Sequence, residues 1–322
     1  MPLVKPTPEN IAAAAEALRQ GELVAFPTET VYGIGADATN SRAVARVFEA
    51  KGRPRFNPLI AHVADLASAE RIAYFPAHAR RLAEAFWPGP LTLVLRRRLA
   101  GKISDFVTVG LETVAVRVPA HPVALALLAA AEVPIAAPSA NRSGHVSPTL
   151  ASHVYDDLGD IPAFILDGGP TAHGLESTIL DASEPDIVQL RAGAIPAQVI
   201  EGLLGITIRR TAEAVDPATG ERPIAPGQLA SHYAPGAPLR LDAECARPGE
   251  ALLAFGADAP RHDGPLINLS PTGDLVEAGA NLFAALRALD AAHPTAIAVM
   301  PIPDTGIGEA INDRLRRGAA PR

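Results

Sequence analysis

Lys51-Gly52-Arg53-Pro54-Arg55-Phe56-Asn57-Pro58-Leu59 places one ammonium and two guanidiniums within five residues. One glycine and two prolines keep the stretch from being a regular helix face. Lysine is scarce in this chain: Lys5, Lys51 and Lys102 are the three. A compact ammonium beside planar guanidiniums suits a polyanion such as a triphosphate. The same residues also suit a solvated basic turn at a helix end, where cations favour the helix dipole. On its own the stretch is compatible with both.

Other clusters carry polar groups at the ends of apolar runs. Pro27-Thr28-Glu29-Thr30-Val31-Tyr32-Gly33 sets hydroxyls and a carboxylate where a strand ends, a common ligand position in α/β sheets. A turn whose threonines satisfy the backbone has the same composition. Pro138-Ser139-Ala140-Asn141-Arg142-Ser143-Gly144 can present amides and hydroxyls to a phosphate or ribose, or form an ordinary polar turn. Leu175-Glu176-Ser177-Thr178-Ile179 puts two hydroxyls at the start of a strand. Arg117 sits inside the apolar run from Val114 to Val118, so it needs an anion, either a structural carboxylate or one on a ligand. Ser231-His232-Tyr233-Ala234-Pro235 sets a His and a Tyr in a small-residue segment, as a lid over a site or as a local anchor.

Several chemistries are disfavoured. Gly101-Lys102 is followed by Ile103, so there is no P-loop. Gly33-Ile34-Gly35-Ala36-Asp37-Ala38 matches only a degenerate dinucleotide fingerprint. No His-Glu-x-x-His spacing and no Gly-x-Ser-x-Gly elbow occurs. Cys245 is the single cysteine, which excludes an intramolecular disulfide and a thiolate cluster. Net charge is −7 and aromatics are 4%, which argues against stable direct nucleic-acid binding. No window approaches the ~18 apolar residues of a membrane helix, and the first residues lack a secretory apolar region. The expectation is a cytoplasmic protein.

The elements that must position these clusters follow from punctuation and periodicity. Thr7-Pro8-Glu9 opens a helix that stops at Gly21. Further helices are expected over Ser41–Ala50, Leu66–Ala73, Ala77–Phe86, Pro122–Ala131 and Pro196–Leu204. Strands are expected over Glu22–Phe26, Leu59–Val63, Leu91–Leu95, Val114–Val118, Val133–Ala137, Ala163–Leu166, Ser177–Leu180 and Ile187–Leu190. Their irregular interleaving favours an α/β fold on a mixed sheet. From 210 to 238, Pro217, Gly220, Pro223, Pro226 and Gly227 punctuate a segment without apolar periodicity, which reads as a linker. A small Rossmann-like α/β unit follows over 239–322, with strands Ala251–Phe255, Pro265–Leu269 and Ala296–Met300 and helices Asp274–Ala291 and Gly308–Arg317. About 80 residues make a small core, so this unit is expected to dock on the first.

Together the motifs resemble the threonylcarbamoyl-AMP synthase family, in its two-domain form with a YrdC-like catalytic domain. They are Lys51-Gly-Arg-Pro with Asn57-Pro-Leu, Pro138-Ser-Ala-Asn, Ser177-Thr-Ile, Arg191-x-Gly, Ser231-His-Tyr-Ala-Pro, and the tail from Pro303 to Arg314. The resemblance implies a YrdC-like mixed twisted sheet over residues 1–209, a lid over 210–238 and the small domain beyond. It implies a nucleotidyltransferase that condenses L-threonine, bicarbonate and ATP to threonylcarbamoyl-AMP and pyrophosphate. A tRNA threonylcarbamoyl transferase complex would then use the product, and Mg²⁺ would accompany ATP. Carried over by position, the threonine contacts would be Thr30, His62, Arg117, Ala137 and Ser177. The ATP contacts would be Lys51, Arg53, Asn57, Thr113, Ser139, Asn141, Ser147, Arg191, His232 and Tyr233. Lys51 and Arg53 would serve catalysis by neutralising charge; the metal ligands stay unassigned. The rivals are an RNA-binding module, a carbamoyl-phosphate-using transferase and a non-catalytic nucleotide-binding regulator.

Overall fold

The computed structural model describes residues 2–211 and 223–321. Pro217 and Gly220, part of the expected linker, lie outside the described residues. The chain begins with β1 (Leu3–Val4), α1 (Pro8–Arg19), β2 (Val24–Pro27), β3 (Tyr32–Asp37), α2 (Ser41–Lys51) and β4 (Ile60–His62). Next come α3 (Leu66–Ile72), α4 (Ala77–Phe86), β5 (Leu91–Arg96), α5 (Asp105–Thr108), β6 (Thr113–Arg117) and α6 (Pro122–Ala131). The first unit ends with β7 (Ile135–Ala136), α7 (Ala151–Leu158), β8 (Phe164–Leu166), β9 (Thr178–Asp181), β10 (Val188–Arg191), α8 (Ala197–Leu204) and β11 (Arg209–Arg210). The second unit holds β12 (Leu239–Arg240), β13 (Ala251–Ala254), β14 (Leu266–Asn268), α9 (Leu275–Asp290), β15 (Ile297–Val299) and α10 (Gly308–Ala319).

The first unit is one mixed sheet, ordered β1-β8-β2-β3-β7-β4-β6-β5-β9-β10-β11. The second is a parallel sheet ordered β12-β15-β13-β14, as expected of a small Rossmann-like unit. The expected helices form, and Thr7 caps α1 as expected by accepting from the Asn10 N–H; the structure adds Asn40 as the cap of α2. The degenerate Gly-x-Gly fingerprint is instead β3, paired antiparallel with β2 from Val24–Gly35 to Pro27–Tyr32. Its glycines lie inside the paired strand, and Ala38-Thr39-Asn40 separate it from α2, so there is no glycine-rich strand-to-helix turn to cradle a pyrophosphate as a dinucleotide motif would. The first sheet also runs slightly past residue 209, since β11 pairs with β10 and the Thr211 N–H bonds the Gln189 carbonyl.

Strand alternation sends two different sets of side chains to the two faces. Ala61, Leu93, Leu95, Val114 and Val116 face the main core, with Val44, Val47 and Leu82 from the helices. On the opposite face α1 and α6 cover only the β2–β7 region, around Val24, Phe26 and Ile135. The rest of that face has a small apolar floor of Ile60, Val94, Ala115, Ile179 and Leu190, packed against Ala225 of the linker. That half-covered face is where the polar clusters gather. Among the described residues, no helix is long and apolar enough to cross a membrane.

Candidate active site

His62 ends β4 and Arg117 ends β6, and parallel pairing makes them register partners. Both point to the half-covered face. The turn after β2 stands beside them. There the Thr28 and Thr30 hydroxyls are 2.8 Å apart, and Glu29 takes Arg117 Nη2 at 2.7 Å and the Ala120 N–H at 3.0 Å. Arg117 and Glu29 are both buried, with side chains 4% and 7% exposed. Burial pushes the Glu29 carboxyl up, but Arg117 and the backbone donors outweigh it and hold the group below its usual range. His62 is pulled down to about 3 by burial and by Arg117, so it is neutral, and its Nδ1 has no hydrogen-bond partner.

The basic stretch is divided by the end of α2. Gly52 adopts a left-handed conformation (φ 60°) after Lys51, which ends the helix and turns Arg53 inward. Arg53 donates to the Asn57 and Pro58 carbonyls. It lines the cavity, and burial pulls its pKa down to about 10. Lys51 does not line the cavity. Its Nζ donates to the Ser139 carbonyl at 2.5 Å, to the Asn141 carbonyl, and to Asn141 Oδ1 at 3.3 Å. It therefore ties α2 to the Ser139–Asn141 loop from behind. Arg55 is exposed, 3.9 Å from Glu49, as a solvated residue of the basic turn.

A third arginine comes from β10. Arg191 donates to the Ser177 carbonyl and hydroxyl and to the Pro226 carbonyl. The linker thus touches the site directly. Gly227 (φ 85°) passes so close that a Cβ would meet Arg191 Cδ and Tyr233 Oη at 2.8 Å. His232 is buried and neutral, with no partner at Nδ1; burial comes first among the causes, followed by Arg53 and Lys51. Tyr233 stacks on Phe283 of α9 at 5.7 Å and lies under the Arg314 guanidinium at 5.0 Å.

These groups enclose a cavity of about 50 Å³. Thr30, Arg53, His62, Arg117, Ala137, Ser139, Ser177, Arg191, His232 and Tyr233 line it. Lys51, Asn57, Thr113, Asn141 and Ser147 stand outside it. Asn57 Oδ1 is buried without a partner near Arg53. Thr113 shares the strand face of Arg117 four residues along. Asn141 braces its own loop, and Ser147 donates to Glu176 at 2.6 Å. Thr28 and Glu176, from two of the polar clusters, and Pro226 and Gly227 of the linker also line the cavity; their neighbourhoods in sequence carry no signal that assigns them a contact. Behind them Arg314 of α10, 0% exposed, bonds Glu176 at 2.9 Å and the Ala192 carbonyl.

The cations fall into two kinds. Arg117 has a carboxylate partner, whereas Arg53 and Arg191 hold only carbonyl and hydroxyl oxygens. Buried charges of that second kind are costly until an anion joins them. Glu29 and Glu176 are both engaged by arginines, and no group of three His, Cys, Asp or Glu among the described residues could hold a metal ion.

A mixed sheet whose half-open face is roofed by a linker and a second α/β unit over buried arginines defines a two-domain protein of the YrdC-like class. Residues 16–193 match the family model of the Sua5, YciO and YrdC proteins, described as telomere recombination. Residues 195–320 match the threonylcarbamoyl-AMP synthase C-terminal domain. The chain is 43% identical to the threonylcarbamoyl-AMP synthase of Bacillus subtilis, over 97% of this chain and 94% of that one. It is 42% identical to the Pyrococcus abyssi threonylcarbamoyl-AMP synthase, over 97% and 95%. A crystal structure of P. abyssi Sua5 complexed with L-threonine superposes with a TM-score of 0.88, covering 98% of this chain and 96% of that one at 40% identity. E. coli YciO, at 22% identity and a TM-score of 0.53 over 59% of this chain, shares the fold. This chain belongs to the threonylcarbamoyl-AMP synthase family.

Proposed function

We propose that this chain condenses L-threonine, bicarbonate and ATP to threonylcarbamoyl-AMP and pyrophosphate. The observation that carries the reading is the pair of buried guanidiniums, Arg53 and Arg191, without carboxylate partners at the rim of a cavity that already holds a third, paired arginine. Two anions of different charge fit such a site. The polyphosphate goes to Arg53 and Arg191, and the amino-acid carboxylate to the free edge of Arg117. Thr30, His62, Ala137 and Ser177 surround the amino acid.

No protein nucleophile is needed. The threonine amine and bicarbonate form an N-carboxy-threonine with loss of water. Its new carboxylate oxygen attacks the α-phosphorus, and pyrophosphate leaves. The chain's residues position the reactants and neutralise the departing charge. Lys51 acts from behind, by holding the Ser139–Asn141 loop toward the nucleotide. Mg²⁺ travels with ATP as part of the substrate, because the site carboxylates are engaged by arginines.

A cavity of about 50 Å³ holds a few water-sized groups, far less than a nucleotide. The linker from Pro223 to Tyr233 therefore acts as a lid that withdraws to admit ATP. Closed, it shields the carbamate, which reverts readily to amine and carbon dioxide. The protein works on small molecules in the cytoplasm, and a separate transferase complex carries the threonylcarbamoyl group to tRNA.

The test supplies ATP, bicarbonate and each amino acid in turn, and follows pyrophosphate and the adenylate. Threonine-dependent release of both is expected. Release indifferent to the amino acid overturns the reading.

A further inference from the structure

Glu29 does not line the cavity, yet it controls the cation that does. Its Oε1 takes Arg117 Nη2 at 2.7 Å, while Arg117 Nε donates to the Gly89 carbonyl at 3.3 Å. Glu29 is itself fixed, with Oε2 on the Ala120 N–H and its own carbonyl accepting from the His173 N–H. Two sides of the guanidinium are thereby taken, and what remains faces the cavity. Among the cavity-lining arginines of the described residues, Arg117 alone is paired with a carboxylate.

We propose that Glu29 is a positioning and anion-sorting residue: by holding and half-neutralising Arg117, it reserves that subsite for a monocarboxylate and excludes phosphate. The proposal rests on the functional reading given above, in which Arg117 meets the amino acid. A bare guanidinium fork matches phosphate as well as it matches carboxylate. Both kinds of anion must enter this one small space. A carboxylate fixed on the far side of Arg117 repels a multiply charged phosphate more than a zwitterion of zero net charge. Arg53 and Arg191 lack such a partner and keep their full charge for the polyphosphate. The site thus sorts two anions with one residue type, using a single carboxylate behind one of three arginines.

The experiment uses the full chain with Glu29→Gln and Glu29→Asp. Threonine binding is measured by calorimetry without ATP, and pyrophosphate release is measured with threonine and ATP each varied. Inorganic phosphate serves as the competing probe. Glu29→Gln is expected to weaken threonine binding and raise its KM at least tenfold, with the KM for ATP within twofold of the parent. Inorganic phosphate should compete with threonine in Glu29→Gln and not in the parent. Glu29→Asp keeps the charge at a shorter reach, so phosphate should stay excluded while the threonine KM rises a few-fold. Equal phosphate inhibition in parent and Glu29→Gln overturns the proposal, as does a threonine KM that rises only in step with that of ATP. If Glu29→Gln does not fold, Glu29→Asp decides, and an unchanged threonine KM overturns it. Threonine binding unaffected by Arg117→Ala would instead overturn the subsite assignment itself.

Discussion

Arg314 and Glu176 meet at 2.9 Å in the wall between the two domains, although 138 residues separate them in sequence. Arg314 comes from α10 of the small domain and is completely buried. Glu176 reaches it from the loop before β9 and holds Ser147 with its other oxygen. Arg314 also lies over the Tyr233 ring, so one side chain supports both the cavity wall and the linker.

Removing one member of that pair strands a charge. Arg314→Met should cost on the order of 3–5 kcal/mol of stability, because Glu176 is then buried without its cation. Arg314→Met with Glu176→Met should recover much of the loss. Urea midpoints of the two variants decide it, and equal losses would sink the argument.

Arg53→Ala and Arg191→Ala should each raise the KM for ATP roughly tenfold to a hundredfold, the range of a lost charge-assisted hydrogen bond. The KM for threonine should move little. Steady-state pyrophosphate release with each substrate varied gives both numbers, and an equal rise in the two would count against separate subsites.

Lys51 is expected to act through the loop it holds. Lys51→Met keeps the length and loses the bonds to the Ser139 and Asn141 carbonyls. Amide exchange across residues 139–145 should quicken, and stability should fall by about 1–3 kcal/mol as buried carbonyls lose their donor. Unchanged exchange there would return Lys51 to a purely electrostatic part.

The linker leans on α9 through the stacked pair Tyr233 and Phe283, which on the proposed reading latches the lid. A double-mutant cycle of Tyr233→Ala and Phe283→Ala should give a coupling of about 0.5–1.5 kcal/mol, as for stacked aromatic pairs. Tyr233→Ala should also expose residues 223–235 to protease and slow pyrophosphate release. A lid equally resistant to protease in that variant would contradict the latch.

Acid should destabilise the fold through His62. Folded His62 takes its proton at about 3, well below its ordinary 6.5. Between those values the unfolded chain binds more protons, so stability is complete above about pH 6.5 and falls as pH drops toward 3. The slope from this residue is at most about 1.4 kcal/mol per pH unit. His62→Gln should flatten the profile over that window in urea titrations at successive pH values; identical slopes would refute it.

The parts of the fold legible in the sequence are those with local causes. The Thr7 cap, the Gly52 stop and the apolar strands around Ala61 and Val116 announce themselves within a few residues. Strand β3 does not, because Gly33 and Gly35 weaken its strand character and imitate a fingerprint loop. Most of the candidate site is legible because basic and hydroxyl residues stand out after apolar runs. Glu29 reads either as a carboxylate at a ligand-binding strand end or as part of a turn, and Glu176 stands only beside two hydroxyls; neither sequence neighbourhood contains its arginine, so neither ion pair is legible. Arg314 carried a usable signal: with Ile311 and Leu315 it lies on the buried stripe of α10, where a guanidinium with five donors needs more partners than the adjacent Asp313 supplies.

The half-covered sheet face has a consequence for solubility. Ile60, Val94, Ala115, Ile179 and Leu190 have no helix of their own domain above them; Ala225 of the linker covers them. A chain ending at Thr211 would present that floor to water as a sticky patch beside three arginines. Such a fragment should self-associate at concentrations where the full chain stays dispersed. On the lid reading proposed above, the linker can withdraw only as far as that patch can be wetted for the time a nucleotide takes to replace it.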